Sequence, residues 1–309
     1  MHIEARFYET YELCAIVDGI LKDQSGHIVK LEGFHCDEQW AKWVGPYKRY
    51  SAFHQFIEFI VREVHGEQAD AVDIAERKNL FVAYARIPGA IEGMKPNKLP
   101  IEIAFDHHSI RYQSFLVHLS ETGCDFQDAD EDDVYEFMNE VWLSESYEKL
   151  LDQTVAEVFH VLFQNRRLLL TFNDYVAGVL SRVNLADAES SIREQFSTGG
   201  TLKRARPPTW ARRAVFFRDR GRCVLCDKDL SGLMNLANVE NYDHVVPLVL
   251  FGFNDISNLQ LLCVKCNQLD KKGGAAITSG RYQLALALSL SSAVSGSRIG
   301  SSCTSELTR

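Results

Sequence analysis

The sequence predicts an α+β chain, in which a larger mixed domain is followed by a small C-terminal module that a metal ion stabilises. Apolar residues recur at helical spacing in two stretches of the first 195 residues, and other stretches there favour strands. Two closely spaced cysteine pairs lie in a later stretch that is too short to bury a sufficient core of its own. For 309 residues, two domains are the expected number.

The first domain is predicted to contain both strands and helices. Residues 3–17, 80–87 and 101–105 are predicted as strands because they are rich in β-favouring residues. Two amphipathic helices follow from apolar positions three and four residues apart. The first is marked by Phe53, Phe56, Ile57, Ile60, Val61 and Val64. The second is marked by Tyr147, Leu150, Leu151, Val155, Val158, Phe159 and Leu162.

The chain divides into four predicted segments. Residues 1–195 form the α+β domain, which resembles no family known to us; we expect it to sense a signal, target the chain or bind a protein partner. Residues 196–209 are rich in Gly, Pro and basic residues and are predicted to be a linker. Residues 210–285 form the C-terminal module, and the Ser-rich residues 286–309 are predicted to be disordered.

The start of the chain and its isolated cysteines indicate the compartment. His2, Glu4 and Arg6 interrupt any apolar beginning, so we expect no secretory signal, and no apolar run is long enough to span a bilayer. Four cysteines have no close cysteine neighbour in sequence and are expected to be reduced thiols: Cys14, Cys36, Cys124 and Cys303. These features predict a cytoplasmic protein without a membrane partner.

The two cysteine pairs predict a structural zinc site. Cys223 and Cys226 form one C-x-x-C pair, and Cys263 and Cys266 form the other. Each pair can hold a zinc ion from a tight turn, and two pairs complete a tetrahedron. Four thiolates leave no open coordination position, so we expect this zinc to stabilise the fold rather than to catalyse a reaction.

Polar residues between and after the cysteine pairs complete a family motif. Asp243-His244-Val245-Val246-Pro247 is followed by Asn258-Leu259, and Asn267 directly follows the second pair. In this order, and over about sixty residues, the segment resembles the HNH nucleases of the ββα-metal (His-Me finger) superfamily. The resemblance implies a small zinc-stabilised ββα-metal (HNH) domain that hydrolyses phosphodiester bonds.

The resemblance also implies a role for each polar residue. His244 is expected to be the general base, since imidazole titrates near neutral pH. Asp243 and Asn267 are expected to bind the catalytic Mg²⁺ or Mn²⁺, and Asn258 to steady the loop that orients the histidine. The family's usual lysine position holds Asp270, and Lys271 comes one residue later.

The charge of the chain is unevenly distributed. Residues 1–200 contain 18 basic and 34 acidic side chains, whereas residues 201–309 contain 15 and 8. Many of the cations lie just before the first cysteine pair, where they are suited to contact phosphates. The predicted nucleic-acid-binding residues are Arg204, Arg206, Arg212, Arg213, Arg218, Arg220, Arg222 and Lys271. The alternative for this run is a solvated helix face with a basic linker.

The combined features predict a metal-dependent HNH endonuclease that acts on DNA. An extra domain joined to such a module is similar to the architecture of prokaryotic defence and mobile-element systems. Two alternatives stay open. One is a zinc-knuckle protein that binds nucleic acid without hydrolysis, and the other is a nuclease that cleaves RNA, because phosphate chemistry alone does not distinguish the two substrates.

Overall fold

The structure is a computed structural model that describes residues 6–36, 39–84, 86, 98–186, 188–232, 240–270 and 275–280. Helices dominate this part of the chain up to residue 218. They are α1 (Arg6–Lys22), α2 (Ile28–His35), α3 (Ala52–Asp70), α4 (Ile74–Tyr84), α5 (Pro100–His107), α6 (Phe115–Thr122), α7 (Glu131–Trp142), α8 (Glu145–Leu162), α9 (Arg166–Leu180), α10 (Ser190–Arg193) and α11 (Thr209–Arg218).

The two helices predicted from apolar spacing are confirmed as α3 and α8, which pack against each other at the centre of the helical region. The Ser51 hydroxyl caps α3 by accepting the His54 N–H at 3.3 Å, which satisfies one of the unpaired donors of the first turn. Ser144 caps α8 in the same way through the N–H of Tyr147. Their apolar stripes are buried, and this burial stabilises the pair.

The three predicted strands of the first domain are wrong. Residues 6–17 fall in α1, residues 80–84 in α4 and residues 101–105 in α5, while residues 3–5, 85 and 87 lie outside the described part. In α1 the buried positions Leu13, Val17 and Leu21 are four residues apart, which is helical spacing. The abundance of β-favouring residues was misleading here because tertiary packing overrides a weak intrinsic preference.

The C-terminal module contains a two-stranded sheet. Strand β1 (Asn241–His244) pairs antiparallel with β2 (Leu259–Leu262), and His244 lies opposite Leu259. Short helical turns lie between the strands at Leu248–Leu250 and Ile256–Asn258, and another follows β2 at Cys266–Asp270. The expected small module with two strands is confirmed, and among the described residues the paired strands β1 and β2 lie in this module.

The helical region and the C-terminal module share one hydrophobic core. Helix α9 packs on the Ile256–Asn258 turn, where Asn173 donates to the carbonyl of Ser257 at 3.1 Å. The carboxylate of Asp255 accepts the N–H of Ala52, the first residue of α3, at 3.0 Å. Contacts of this kind join the two parts directly, whatever the boundary between the predicted domains.

The segment predicted as a linker is packed against its surroundings. Phe196 and Leu202 are buried and form an isolated antiparallel bridge, and Lys203 donates its N–H to the carbonyl of Gln195 at 2.8 Å. The domain boundaries themselves remain a prediction. Across the described residues, no helix combines the length and the apolar character needed to cross a bilayer.

Candidate functional site

The four cysteines of the two pairs lie close together. Their Sγ atoms all lie within 4.8 Å of one another, and the Sγ atoms of Cys226 and Cys263 are 3.7 Å apart. A tetrahedral zinc ion with Zn–S bonds of about 2.3 Å requires sulfur atoms about 3.8 Å apart. Three of the cysteines are buried, and Cys226 is exposed. The arrangement therefore fits a zinc ion bound by four thiolates.

Each cysteine pair lies in a hydrogen-bonded turn. In the first, the N–H of Asp227 donates to the carbonyl of Cys223 at 2.8 Å, and Asp227 adopts a left-handed backbone with φ of 64°. In the second, the N–H of Cys266 donates to the Sγ of Cys263 at 3.4 Å. The N–H of Val224 donates to the carbonyl of Leu261 in β2 at 3.0 Å. The first turn is thus attached to the strand that leads into the second.

A buried ion-pair network anchors α11 to β2. The Nε and Nη2 atoms of Arg218 donate to the two carboxylate oxygens of Asp219 at 2.9 and 3.0 Å. The Asp219 carboxylate also accepts the N–H of Leu261 at 2.9 Å. Arg166 of α9 lies 3.4 Å from the same carboxylate. The prediction that Arg218 contacts nucleic acid does not hold, because this side chain is 4% exposed and already paired.

Asn258 is the residue that holds the loop after His244. Its Oδ1 accepts the N–H of Val246 at 2.8 Å, and its Nδ2 donates to the carbonyls of Val246 at 3.0 Å and Phe253 at 2.9 Å. Its backbone carbonyl accepts the N–H of Val245 at 2.7 Å. The residue is 0% exposed, so water does not compete for these bonds. Asn258 thus holds the loop in place, and its effect on the orientation of His244 remains a prediction.

The same loop is tightly packed at Gly252. A Cβ atom at this position would collide with the backbone carbonyl of Val246, so the close approach of the two chain segments requires glycine. The loop after His244 is therefore fixed both by an internal amide and by a backbone contact.

His244 itself lies at the end of β1 and is 3% exposed. Its Nε2 lies 3.3 Å from the Oδ1 of Asn254 and 3.5 Å from the hydroxyl of Tyr47. Burial raises the pKa of Tyr47, so its phenol stays protonated. One edge of the imidazole thus faces side chains that the motif did not include.

Asp243 and Asn267, the expected ligands of the catalytic metal, lie on different elements. Asp243 is in β1, and its Oδ1 accepts a hydrogen bond from the Arg204 guanidinium at 3.0 Å. Asn267 lies in the Cys266–Asp270 turn, and its N–H donates to the carbonyl of Cys263 at 3.0 Å. Carboxylate and amide oxygens suit Mg²⁺ or Mn²⁺, and Asp243 already attracts a cationic group. That Asp243 and Asn267 bind one catalytic ion together remains a prediction.

The predicted nucleic-acid-binding arginines differ in exposure. Arg212 is half-buried, and its Nη2 donates to the Thr209 hydroxyl at 3.4 Å. Lys271 lies outside the described residues. The exposed members are Arg204, Arg206, Arg213, Arg220 and Arg222. Phe217, one turn after Arg213 on α11, is 74% exposed. An exposed aromatic ring near arginines is suited to stack on a nucleic-acid base.

Sequence reasoning missed three residues that contact the site. Tyr47 reaches His244 from 197 positions away, and no local pattern reveals such a contact. Asn254 and Asp255 lie in an ordinary turn sequence, although Asp255 is fully buried and burial raises its pKa, while the N–H groups of Ser257 and Ala52 oppose that rise. The one local signal that could have suggested Asp255 is an acidic residue three positions before Asn258.

Comparison with known proteins identifies the C-terminal module. The family model described as HNH endonuclease matches residues 223–273, which include both cysteine pairs and the segment between them. No curated protein and no solved structure matches the chain.

Proposed function

From the HNH endonuclease domain that residues 223–273 form, we propose that the chain is a metal-dependent endonuclease that hydrolyses phosphodiester bonds of DNA. One observation carries the proposal. The side chain of Asn258 makes three hydrogen bonds to the loop that follows His244, and that loop begins beside Asp243 in a sheet attached to the four-cysteine site. A loop held in this way orients an imidazole for proton transfer.

Each residue of the site has a chemical task in this proposal. His244 takes a proton from the water that attacks the phosphorus atom, which makes the water a stronger nucleophile. Asp243 and Asn267 hold Mg²⁺ or Mn²⁺, and the bound ion supplies charge stabilisation at the phosphate oxygens. A zinc ion bound by the four cysteines would keep β2 and the following turn in position.

The exposed arginines and Phe217 supply the proposed nucleic-acid surface. Arg213, Phe217 and Arg220 lie on or just after α11, which leads directly into the first cysteine turn. Guanidinium groups here neutralise phosphates regardless of sequence, so they hold the strand near the site without selecting a base. Arg204 contacts one oxygen of Asp243, so the second carboxylate oxygen could bind a metal ion while this pair persists.

A second candidate function is supported by the burial of His244. Because the residue is 3% exposed, a phosphodiester reaches its ring only after a neighbouring side chain moves. A protein in which no such movement occurs would bind nucleic acid through the zinc module and the arginines without cleaving it. RNA is a further candidate substrate, since no described contact selects deoxyribose. A role in prokaryotic defence remains a prediction from the domain architecture.

A plasmid nicking assay tests the proposal. The 309-residue chain with one zinc ion is incubated with supercoiled DNA and Mg²⁺ or Mn²⁺, alongside the His244→Ala variant and a Cys36→Ser control that changes an exposed cysteine outside the site. We expect nicking by the wild type and the control, and binding without nicking by His244→Ala.

The outcomes separate the candidates. Nicking that survives in His244→Ala would contradict the assigned base. Binding without nicking by the wild type, with either metal and on both DNA and RNA, would favour the second candidate. A panel of single-stranded and double-stranded DNA and RNA then identifies the preferred substrate.

A further inference from the structure

Asn254 connects three separate parts of the chain at the edge of the His244 ring. Its backbone carbonyl accepts the N–H of Tyr47 at 2.7 Å. Its side-chain Nδ2 donates to the carbonyl of Lys203 at 2.8 Å, and its Oδ1 accepts the N–H of Ala205 at 3.1 Å. The residue is 3% exposed, so solvent does not replace these partners.

These contacts fix which way the Asn254 amide points. A backbone carbonyl can face only the NH₂ group, and a backbone N–H can face only the oxygen. The carbonyl of Lys203 and the N–H of Ala205 therefore exclude the flipped orientation. The oxygen that Ala205 fixes is the same atom that lies 3.3 Å from the Nε2 of His244.

The fixed oxygen determines the tautomer of the histidine. A carbonyl oxygen can only accept, so Nε2 must carry the hydrogen of this contact. In the neutral imidazole the other nitrogen, Nδ1, then carries the lone pair. The Tyr47 hydroxyl, 3.5 Å from Nε2, can accept from the same N–H and does not reverse the assignment.

We propose that Asn254 is a positioning residue for His244 that holds the neutral ring with its proton on Nε2, which makes Nδ1 the proton-accepting atom. The expected effect on the rate rests on the proposed nuclease function, whereas the tautomer follows from the contacts of Asn254 alone. Asn254 is itself held by hydrogen bonds to Lys203, Ala205 and Tyr47. The segment around residues 203–205 and the helical region therefore help to fix the tautomer of His244. A base with the wrong tautomer presents an N–H where a lone pair is needed.

The tautomer can be measured without catalysis. The zinc-loaded 309-residue chain, labelled with ¹⁵N-histidine, is studied by long-range ¹H–¹⁵N spectroscopy at alkaline pH, where neutral rings are observed. The His244→Gln variant assigns the His244 signals among the 10 histidines of the chain. We expect a protonated Nε2 and an unprotonated Nδ1. A proton on Nδ1, or a mixture of tautomers, in the wild type would overturn the proposal even if no substrate is ever cleaved.

Three variants identify the group that sets the tautomer. Asn254→Leu removes the acceptor at similar size, and we expect mixed tautomers with a fall in kcat of about 10- to 100-fold at unchanged KM. Asn254→Asp keeps an acceptor oxygen and is expected to keep Nε2 protonated. Tyr47→Phe removes the hydroxyl alone and should leave the tautomer unchanged.

The pattern across the variants decides the assignment. A tautomer change in Tyr47→Phe but not in Asn254→Leu would transfer the role to Tyr47 and refute the proposal. If the wild type shows the expected tautomer but does not nick DNA, the result would count against the nuclease function alone. Zinc content and thermal unfolding show that each variant is folded.

Discussion

Replacing Asn258 by alanine is predicted to remove both stability and cleavage. The side chain makes three hydrogen bonds of 2.8 to 3.0 Å, all to backbone groups of the loop after His244. A hydrogen bond of this kind contributes about 1 kcal/mol net, so their loss lowers the free energy of unfolding by about 3 kcal/mol. Because the site is fully buried, water cannot pair with the backbone groups left behind, so about 3 kcal/mol is the lower end of the expected loss.

Asn173 offers a matched control. It is also 0% exposed and makes three side-chain hydrogen bonds, donating to Leu169 and Ser257 carbonyls and accepting from the Ser257 hydroxyl. Two of these bonds join α9 to Ser257 of the Ile256–Asn258 turn, the third lies within α9, and none of them touches Val246. We therefore expect Asn173→Ala to lose about the same 3 kcal/mol, while retaining nicking where it is folded.

The assay combines urea unfolding of the zinc-loaded proteins with nicking rates measured well below the unfolding transition. We expect Asn258→Ala to lose about 10²-fold or more in rate, as expected when a general base is misplaced. Equal nicking rates in the two variants would refute the idea that Asn258 orients His244. A loss of stability below about 1 kcal/mol in Asn258→Ala would refute the hydrogen-bond reasoning itself.

Three further predictions concern other parts of the molecule. Cys263→Ser should reduce the zinc content below one ion per chain and lower the thermal unfolding temperature, whereas Cys36→Ser should change neither; an unchanged zinc content in Cys263→Ser would contradict the four-cysteine site. Arg213→Ala should weaken DNA binding and reduce the slope of log K against log salt by about 1, because one phosphate contact is lost. Lys149→Ala, a change on exposed α8 surface, should leave that slope unaltered, and equal slopes in both variants would count against the arginine surface. Burial lowers the pKa of His65 from 6.5 to about 4. Between these pH values the unfolded state binds a proton that the native state does not bind. The free energy of unfolding should therefore fall as pH decreases from 6.5 towards 4, and a His65→Gln variant should show a smaller fall; an equal fall would mean that other groups dominate.

Sequence patterns confined to neighbouring residues correctly predicted helices and the cysteine cluster. The apolar spacing between Phe53 and Val64 identified α3, and the two C-x-x-C pairs identified a cluster that the structure brings within zinc-binding distance. Both depend on short separations along the chain, where spacing translates directly into geometry.

Properties set by distant contacts were not predictable in this way. Residues 101–105 are a different case, because Pro100 at the first helical position and Glu102 accepting the Leu99 N–H are local helix-start signals that outweigh a strand-like composition. Arg218 has the same charge as its exposed neighbours, and its burial depends on Asp219 and on a strand some forty residues later. The contact between Tyr47 and His244 depends on the whole fold.

The shared core between the helical region and the C-terminal module limits how this protein can be divided. A fragment that begins at residue 200 would expose the apolar surface that α9 covers and would leave the Asp255 carboxylate without the α3 backbone N–H that it accepts. A fusion of the module to an unrelated protein would have to replace both the apolar contact with α9 and the hydrogen bond from α3. Evolution of the two parts is accordingly expected to be concerted, with changes in α3 or α9 matched by changes in the turn that they support.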